Sequence, residues 1–252
     1  MTGRESSAST GRDDVTFRDR AVFFPRSDVL VLADLHVGRA DASDVDFPVG
    51  ERAHLRDRLV ALLDAFAPET VVFAGDVLHR FEYVPTVARE TLDELLEAVA
   101  AAGADLVATP GNHDPQLPGV LDGPTPARFR FDDVVVCHGH EPPEEAAESG
   151  DAGASTTDVS LYVVGHDHPT IDIEGQRRPT YLYGPGTYRG RDVLMLPSFT
   201  ELAAGVEVNG MWTDDFSSPL VTNANALRPV VHDADTDEAL WFPPLRELRA
   251  YL

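Results

Sequence analysis

Residues 105–114 read Asp105-Leu106-Val107-Ala108-Thr109-Pro110-Gly111-Asn112-His113-Asp114. The first five have the composition of a buried parallel strand. The last four are polar and stand directly before Pro115, so the strand empties into a sharp turn. Asn112 offers a neutral carbonyl oxygen, a ligand type suited to a hard or borderline divalent metal. His113 offers an imidazole that can carry a proton. Asp114 before Pro115 reads as a helix N-cap followed by proline at the first helical position. Taken alone, the tetrapeptide is equally an ordinary strand-to-helix turn.

Working outward, four other stretches repeat the pattern. Val29-Leu30-Val31-Leu32-Ala33 runs into Asp34-Leu35-His36, and Thr70-Val71-Val72-Phe73-Ala74 into Gly75-Asp76 and then His79. Val134-Val135-Val136-Cys137 runs into His138-Gly139-His140, and Leu161-Tyr162-Val163-Val164 into Gly165-His166-Asp167-His168. Of the nine histidines, only His54 and His232 lie outside these clusters.

Between the clusters the period changes from strand to helix. Leu55, Leu59, Leu62, Leu63 and Phe66 form one apolar stripe, ended by Pro68. Ala88, Leu92, Leu95, Leu96 and Val99 form another, closed by Gly103. Successive strand–helix–strand units imply parallel strands with helices on the faces. After residue 120 short strands dominate: Ala127 to Phe131, Val134 to Cys137, Leu161 to Val164, Ile171 to Ile173 and Val193 to Leu196. They predict a second, more antiparallel sheet packed on the first. The acidic residues 39–48 read as a loop over the site, the stretch Glu141 to Ser160 as a mobile surface loop, and Tyr183 to Tyr188 as a glycine-containing hairpin turn in preference to the lining of a phosphate pocket.

In open α/β sheets ligands bind beyond the carboxyl ends of the strands, so the five polar clusters can meet in one place. Asp34 and His36 are spaced by two, as are His166 and His168. In extended backbone each pair points one way, while Asp167 points away. Carboxylates, an amide carbonyl and several imidazoles suit Mn, Fe, Zn or Ni better than Ca or Mg. The supply exceeds what one ion needs, whereas two ions about 3.5–4 Å apart, bridged by a carboxylate, would use it.

Asp34-x-His36, Gly75-Asp76, Gly111-Asn112-His113-Asp114, His138 and Gly165-His166-x-His168 resemble, in order and spacing, the five motifs of the calcineurin-like metallophosphoesterases. The resemblance spans residues 29 to 168. It implies an α/β fold of two packed mixed sheets flanked by helices, the αββα sandwich of that family. It implies a first metal on Asp34, His36 and His168, a second on Asn112, His138 and His166, and Asp76 as the bridge. His113 would serve the leaving oxygen as general acid, and His79 would touch the phosphate or the leaving group. The Gly75-Asp76-x-x-His79 variant is more similar to SbcD-type nuclease subunits and DNA-ligase-associated phosphoesterases. The Asp-Arg-Gly pattern of the protein serine/threonine phosphatases is absent, and the capping domain of full SbcD nucleases is not expected. The implied cofactor is a pair of divalent ions, Mn2+ before Fe, Zn or Ni. The implied substrate is a phosphodiester of a nucleotide or of nucleic acid. A phosphomonoesterase or small-metabolite hydrolase on the same site is the alternative. A non-catalytic scaffold fits less well, because every ligand position and His113 are filled.

Other polar residues carry weaker signals. His140 reads equally as support behind the ligands or as a surface turn. His54, among Glu51, Arg52, Arg56 and Asp57, reads as a solvated helix face, and His232 carries no assignment. Arg39 and Arg80 follow site motifs and fit a substrate phosphate or a surface ion pair equally well.

The 252 residues, 43 % of them hydrophobic, fit one domain over residues 15–252 behind a frayed, polar Met1 to Asp14. Those first residues lack the apolar core of a signal peptide. No apolar run approaches the ~18 residues of a membrane span. The single cysteine, Cys137, excludes an intramolecular disulfide and suits a reducing, cytoplasmic setting. Net charge is -23, and every basic residue is arginine. Without basic tracts, a grip on long duplex DNA is not expected, although short single strands remain in reach.

Acidity spread along the whole chain implies a halophilic protein whose self-repulsion is screened by molar salt. The thermal unfolding midpoint is therefore expected to rise between low and molar KCl. A midpoint that stays flat across that range would remove the expectation.

Overall fold

The computed structural model describes residues 15–39, 50–79, 82–143 and 159–251. The expectations for Met1 to Asp14, for most of the acidic loop 39–48, for Arg80 and for residues 144–158 lie outside the described residues.

The chain opens with β1 (Thr16–Arg18), β2 (Ala21–Phe24) and β3 (Val29–Ala33), then α1 (Glu51–Phe66), β4 (Thr70–Ala74), α2 (Thr86–Ala101) and β5 (Asp105–Thr109). These strands form a five-stranded sheet in the order β1-β2-β3-β4-β5, with β1 to β3 antiparallel and β3 to β5 parallel. The continuous apolar composition of β3 and β4 is explained by what each face meets. Leu30, Leu32, Val71 and Phe73 face the apolar stripes of α1 and α2. Val29, Val31, Val72 and Ala74 alternate with them and face the second sheet. Helix α1 ends on Ala67 in the left-handed conformation just before Pro68, and Gly103 at φ 77 follows the end of α2.

The second sheet comprises β6 (Phe129–Phe131), β7 (Val134–Val136), β8 (Leu161–Val164), β11 (Tyr181–Tyr188), β12 (Arg191–Met195), β14 (Arg228–Asp233) and β15 (Glu238–Trp241). Its order is β15-β14-β11-β12-β8-β7-β6. β7, β8 and β12 run parallel and the other neighbours antiparallel, so the sheet is mixed, as the resemblance implies, and more antiparallel than the first, as the short strands predict. Its inner face, with Val134, Val136, Leu161, Val163, Tyr181 and Leu194, packs on the first sheet. Its outer face is covered by short helix α3 (Leu245–Leu248), by single-turn helices and by loop residues such as Phe216 and Leu220. A small third sheet of β9 (Pro169–Ile173), β10 (Gln176–Pro179) and β13 (Val206–Glu207) grows directly out of the loop that carries His168.

Two local expectations are corrected. Tyr183 to Tyr188 is not a turn. It lies within the eight-residue strand β11, which pairs with β12 across an irregularity between Gly184 and Tyr188. Gly184 is needed there because a Cβ would stand 2.3 Å from Thr187 Oγ1 and 2.7 Å from Leu227 Cδ2. Asp114 is not a helix N-cap. Its carboxylate accepts hydrogen bonds from the backbone N–H groups of Val77 at 3.0 Å, Leu78 at 2.8 Å and Gly111 at 2.9 Å. It ties the Asp76 loop to the Asn112 loop, and the following single turn, Leu117–Gly119, is capped by Gln116.

Register brings the polar clusters to one level. Ala33 pairs with Ala74 and Ala74 with Thr109, so β3, β4 and β5 end together. In the second sheet Val136 pairs with Val163, and Gly165 N–H donates to the His138 carbonyl. The sheets also join here: Ala33 bridges Ser198, and Phe199 N–H donates to the Ala33 carbonyl at 2.8 Å.

Candidate metal centre

Seven side chains from the five strand ends converge where the two sheets meet. Ligand atoms of Asp34, His36, Asp76 and His168 all lie within 4.8 Å of one another. His36 Nε2 is 3.2 Å from His168 Nε2. On the other flank His138 Nε2 lies 2.9 Å from Asn112 Oδ1 and 3.1 Å from His166 Nδ1. Asp76 stands between the two groups, with its Oδ2 3.9 Å from His36 Nε2 and 3.5 Å from His138 Nε2. Asp34 Oδ1 is 3.5 Å from both His168 Nε2 and His138 Nδ1.

Apart from Asp34–His168, these pairs are convergent donors rather than ion pairs. Burial, then the neighbouring imidazoles, pushes His36 down to about 2, and the same causes hold His138 well below the usual histidine range. Burial also lowers His166. Burial opposes the charged form of His168 too, but the Asp34 carboxylate outweighs it and the net shift is upward. Asp76 is pushed up to about 8, first by burial and then by the charge of Asp34. Neutral imidazoles and crowded buried carboxylates are the donor set a divalent cation needs. Asp34 Oδ1 and the Nδ1 atoms of His36 and His138 are buried and lack a hydrogen-bond partner among the described residues. These residues fit a metal.

The backbone reaches this arrangement differently from the extended geometry that spacing suggests. Asp34, His36, Asp76, His166 and His168 all adopt positive φ, from 42° to 75°. Each such residue costs ~1–2 kcal/mol relative to ordinary helical or extended backbone. Strain of this kind persists where surrounding contacts over-determine it, and it clusters at functional sites. The contacts are visible here. Asp34 N–H donates to the Gly75 carbonyl at 3.1 Å and His36 N–H to the Asp76 carbonyl at 2.8 Å. His166 N–H donates to Asp34 Oδ2 at 3.0 Å, and His113 N–H to Asp76 Oδ1 at 2.9 Å. As expected, Asp167 turns away: its buried carboxylate accepts from Ser217 N–H at 2.8 Å and Ser218 N–H at 3.0 Å.

His113 and His79 stand at the mouth. Their rings stack with centroids 5.9 Å apart and a 10° interplanar angle. His113 Nδ1 lies 3.1 Å from the His79 carbonyl. A carbonyl only accepts, so Nδ1 carries the hydrogen and Nε2 is directed at the site, 3.9 Å from Asp76 Oδ2. His140 is half-buried beside the centre, its ring 5.1 Å from that of His138, and burial lowers its pKa. Arg39 Nε donates to the Leu202 carbonyl at 3.1 Å, and its charge acts on His36 and His168. His54 is half-exposed and lies 3.1 Å from Glu201, away from the cluster, and His232 pairs with Asp237.

What the motifs do not reveal is the backbone that Asp114 and Asp167 hold, and Ser198 altogether. Ser198 left a faint signal, since Val193 to Leu196 is a sixth apolar run, and it empties into Pro197-Ser198.

Fold and site together define a metal-dependent hydrolase acting on ester bonds. Residues 28–198 match the model of the calcineurin-like phosphoesterase superfamily domain, and the chain belongs to that superfamily. Comparison with curated proteins finds no match. Among solved structures it is similar to the Pseudomonas putida nuclease MPE, at 21% identity and TM-score 0.57, over 84% of this chain and 88% of that one. It is also similar to the E. coli phosphoesterase YfcE, at 15% identity and TM-score 0.42, over 84% of this chain and 96% of that one. Among the described residues no helix is long and apolar enough to cross a membrane.

Glycine closes the converging side chains in. A Cβ on Gly75, at φ 79, would lie 2.1 Å from His138 Nδ1, and one on Gly165 2.4 Å from Asp34 Oδ2. Gly75→Ala is therefore expected to displace the His138 ring. Misplacing a reacting group by ~1 Å costs about 100-fold in rate. A kcat/KM within a few-fold of wild type would show that the ring tolerates the displacement.

Proposed function

We propose that the protein is a binuclear phosphodiesterase of the small SbcD-related branch, acting on nucleotide diesters or short single strands. The observation that carries this reading is the position of Asp76, one carboxylate within 4 Å of imidazoles on both flanks. Asp34, His36 and His168 would hold one ion; Asn112, His138 and His166 the other; Asp76 would bridge. Bound there, divalent ions, Mn2+ before Fe, Zn or Ni, supply an acidified water and neutralise phosphoryl charge.

The rest falls to side chains of this chain. Asp76 accepts the His113 N–H through Oδ1 and directs Oδ2 at both flanks. That same hydrogen bond fixes where His113 leaves the loop. The imidazole, oriented by the His79 carbonyl, presents Nε2 to the leaving oxygen and, as the imidazolium, delivers its Nε2 proton there as general acid, returning to the neutral Nδ1–H form. His79, stacked on it, faces the leaving group of the substrate. An imidazole at that place accommodates a bulky alkoxide without adding negative charge, which favours diesters. The strongly acidic chain lacks the basic tract that tracking a long duplex demands, which favours short substrates and fits a halophilic setting.

His113→Ala is expected to retain its metal, by elemental analysis, while turnover falls by ~10²–10⁴-fold. Loss of metal would instead make His113 a ligand, an arrangement the close approach of His36, His79 and His113 would permit. The substrate class is read by comparing bis-p-nitrophenyl phosphate with p-nitrophenyl phosphate, with Mn2+ in molar salt. Wild type is expected to prefer the diester and His79→Ala to lose that preference. A wild-type preference for the monoester, or a preference unchanged in His79→Ala, would defeat the diesterase reading.

A further inference from the structure

Asp34 is fully buried in a left-handed backbone conformation at φ 56, so what holds it decides where its carboxylate points. Its N–H is taken by the Gly75 carbonyl and its Oδ2 by His166 N–H. Its own carbonyl accepts from the hydroxyl of Ser198 at 2.7 Å. Ser198 is 3 % exposed and comes from the opposite sheet, 164 residues away. The neighbouring Phe199 N–H donates to the Ala33 carbonyl, so two consecutive residues of one segment clamp Ala33 and Asp34.

That segment is itself gripped by arginines from two other elements, α1 and β10, and from two loops. Arg20 Nη1 donates to the Ser198 carbonyl at 2.9 Å and reaches the Thr200 carbonyl at 3.4 Å. Arg58 Nη1, on α1, donates to the Phe199 carbonyl at 2.8 Å, and its guanidinium lies over the Phe199 ring at 5.5 Å. Arg39 takes the Leu202 carbonyl, and Arg177, on β10, takes the Gly205 carbonyl at 2.7 Å. Arg58 is in turn held by Asp19 at 3.0 Å and by Glu201. An arginine fork aimed at backbone carbonyls fixes a loop by several donors at once.

We infer that Ser198, fixed by Arg58 and Arg20, is a positioning residue that aims the Asp34 carboxylate into the metal centre. This rests on Asp34 being a ligand. Without the hydroxyl, a buried carbonyl loses its partner and the left-handed turn loses one of its two backbone tethers. Asp34 Oδ1 then relaxes away from the line that brings it to 3.5 Å from both His168 and His138. Partners of this kind behind a ligand change metal affinity or activity by about 10–100-fold when removed.

The test measures Mn2+ binding calorimetrically on chelator-stripped protein, wild type against Ser198→Ala and Asp34→Asn, with circular dichroism to establish folding. Ser198→Ala is expected to keep its fold and bind Mn2+ at least about tenfold more weakly, with kcat falling more than KM changes. Asp34→Asn is expected to lose the site outright. If Asp34→Asn loses binding while Ser198→Ala binds like wild type, the positioning role is overturned and the ligand reading stands. If Asp34→Asn binds like wild type, the ligand reading fails and this inference falls with it. Should Ser198→Ala not fold, Arg58→Met leaves the hydroxyl in place but releases the loop, and unchanged affinity there overturns the inference.

Discussion

Two carboxylates, Asp34 and Asp76, are buried close together at the ends of adjacent parallel strands, and the surrounding structure is arranged to keep them there. In water such a pair would be solvated and kept apart. Inside the protein desolvation and mutual repulsion push Asp76 up to about 8. Neutral imidazoles cannot offset that charge, whereas a divalent cation can, which is why the donor set fits a metal-dependent hydrolase. Backbone N–H groups of His113 and His166 take one oxygen of each carboxylate, leaving the other directed inward.

Holding the charge also dictates the backbone. Five of the converging residues sit at positive φ, and the glycines beside them leave no room for a Cβ. The resulting strain is supported by a stiff frame: fully apolar strands packed between two long helices on one side and a second sheet on the other. Asp114 and Asp167, buried acids outside the converging set, each accept backbone N–H groups and fix the loops that carry Asp76, Asn112 and His166.

Arginine has a structural use in this strongly acidic chain that its surface charge does not suggest. Arg20, Arg39, Arg58 and Arg177 all donate to carbonyls of residues 198–205. Arg58 is almost buried and is flanked by Asp19 and Glu201, so its charge is compensated where it lies. Truncating such a residue leaves uncompensated acids and an unpinned loop together.

The sequence by itself determined the strands and helices that carry the site and the chemical types at their ends. Continuous apolar runs, two amphipathic helices and Gly, Asp, Asn and His at strand ends are properties of neighbouring residues, so local pattern reveals them. Parallel strands then carry those ends to one edge, which made the convergence legible. The tertiary structure alone decided how the side chains arrive. Asp34-x-His36 and His166-x-His168 meet through left-handed backbone rather than extended strand, because the loop carbonyls and amides of adjacent strand ends pull them there. Asp114 reaches back to Val77 and Leu78 instead of capping a helix, and Tyr183 to Tyr188 continues a strand because β12 pairs with Tyr183, Gly184 and Tyr188. Ser198 meets Asp34 only because two sheets pack face to face. A hydrogen bond between residues 164 apart depends on that packing, and no local period encodes it.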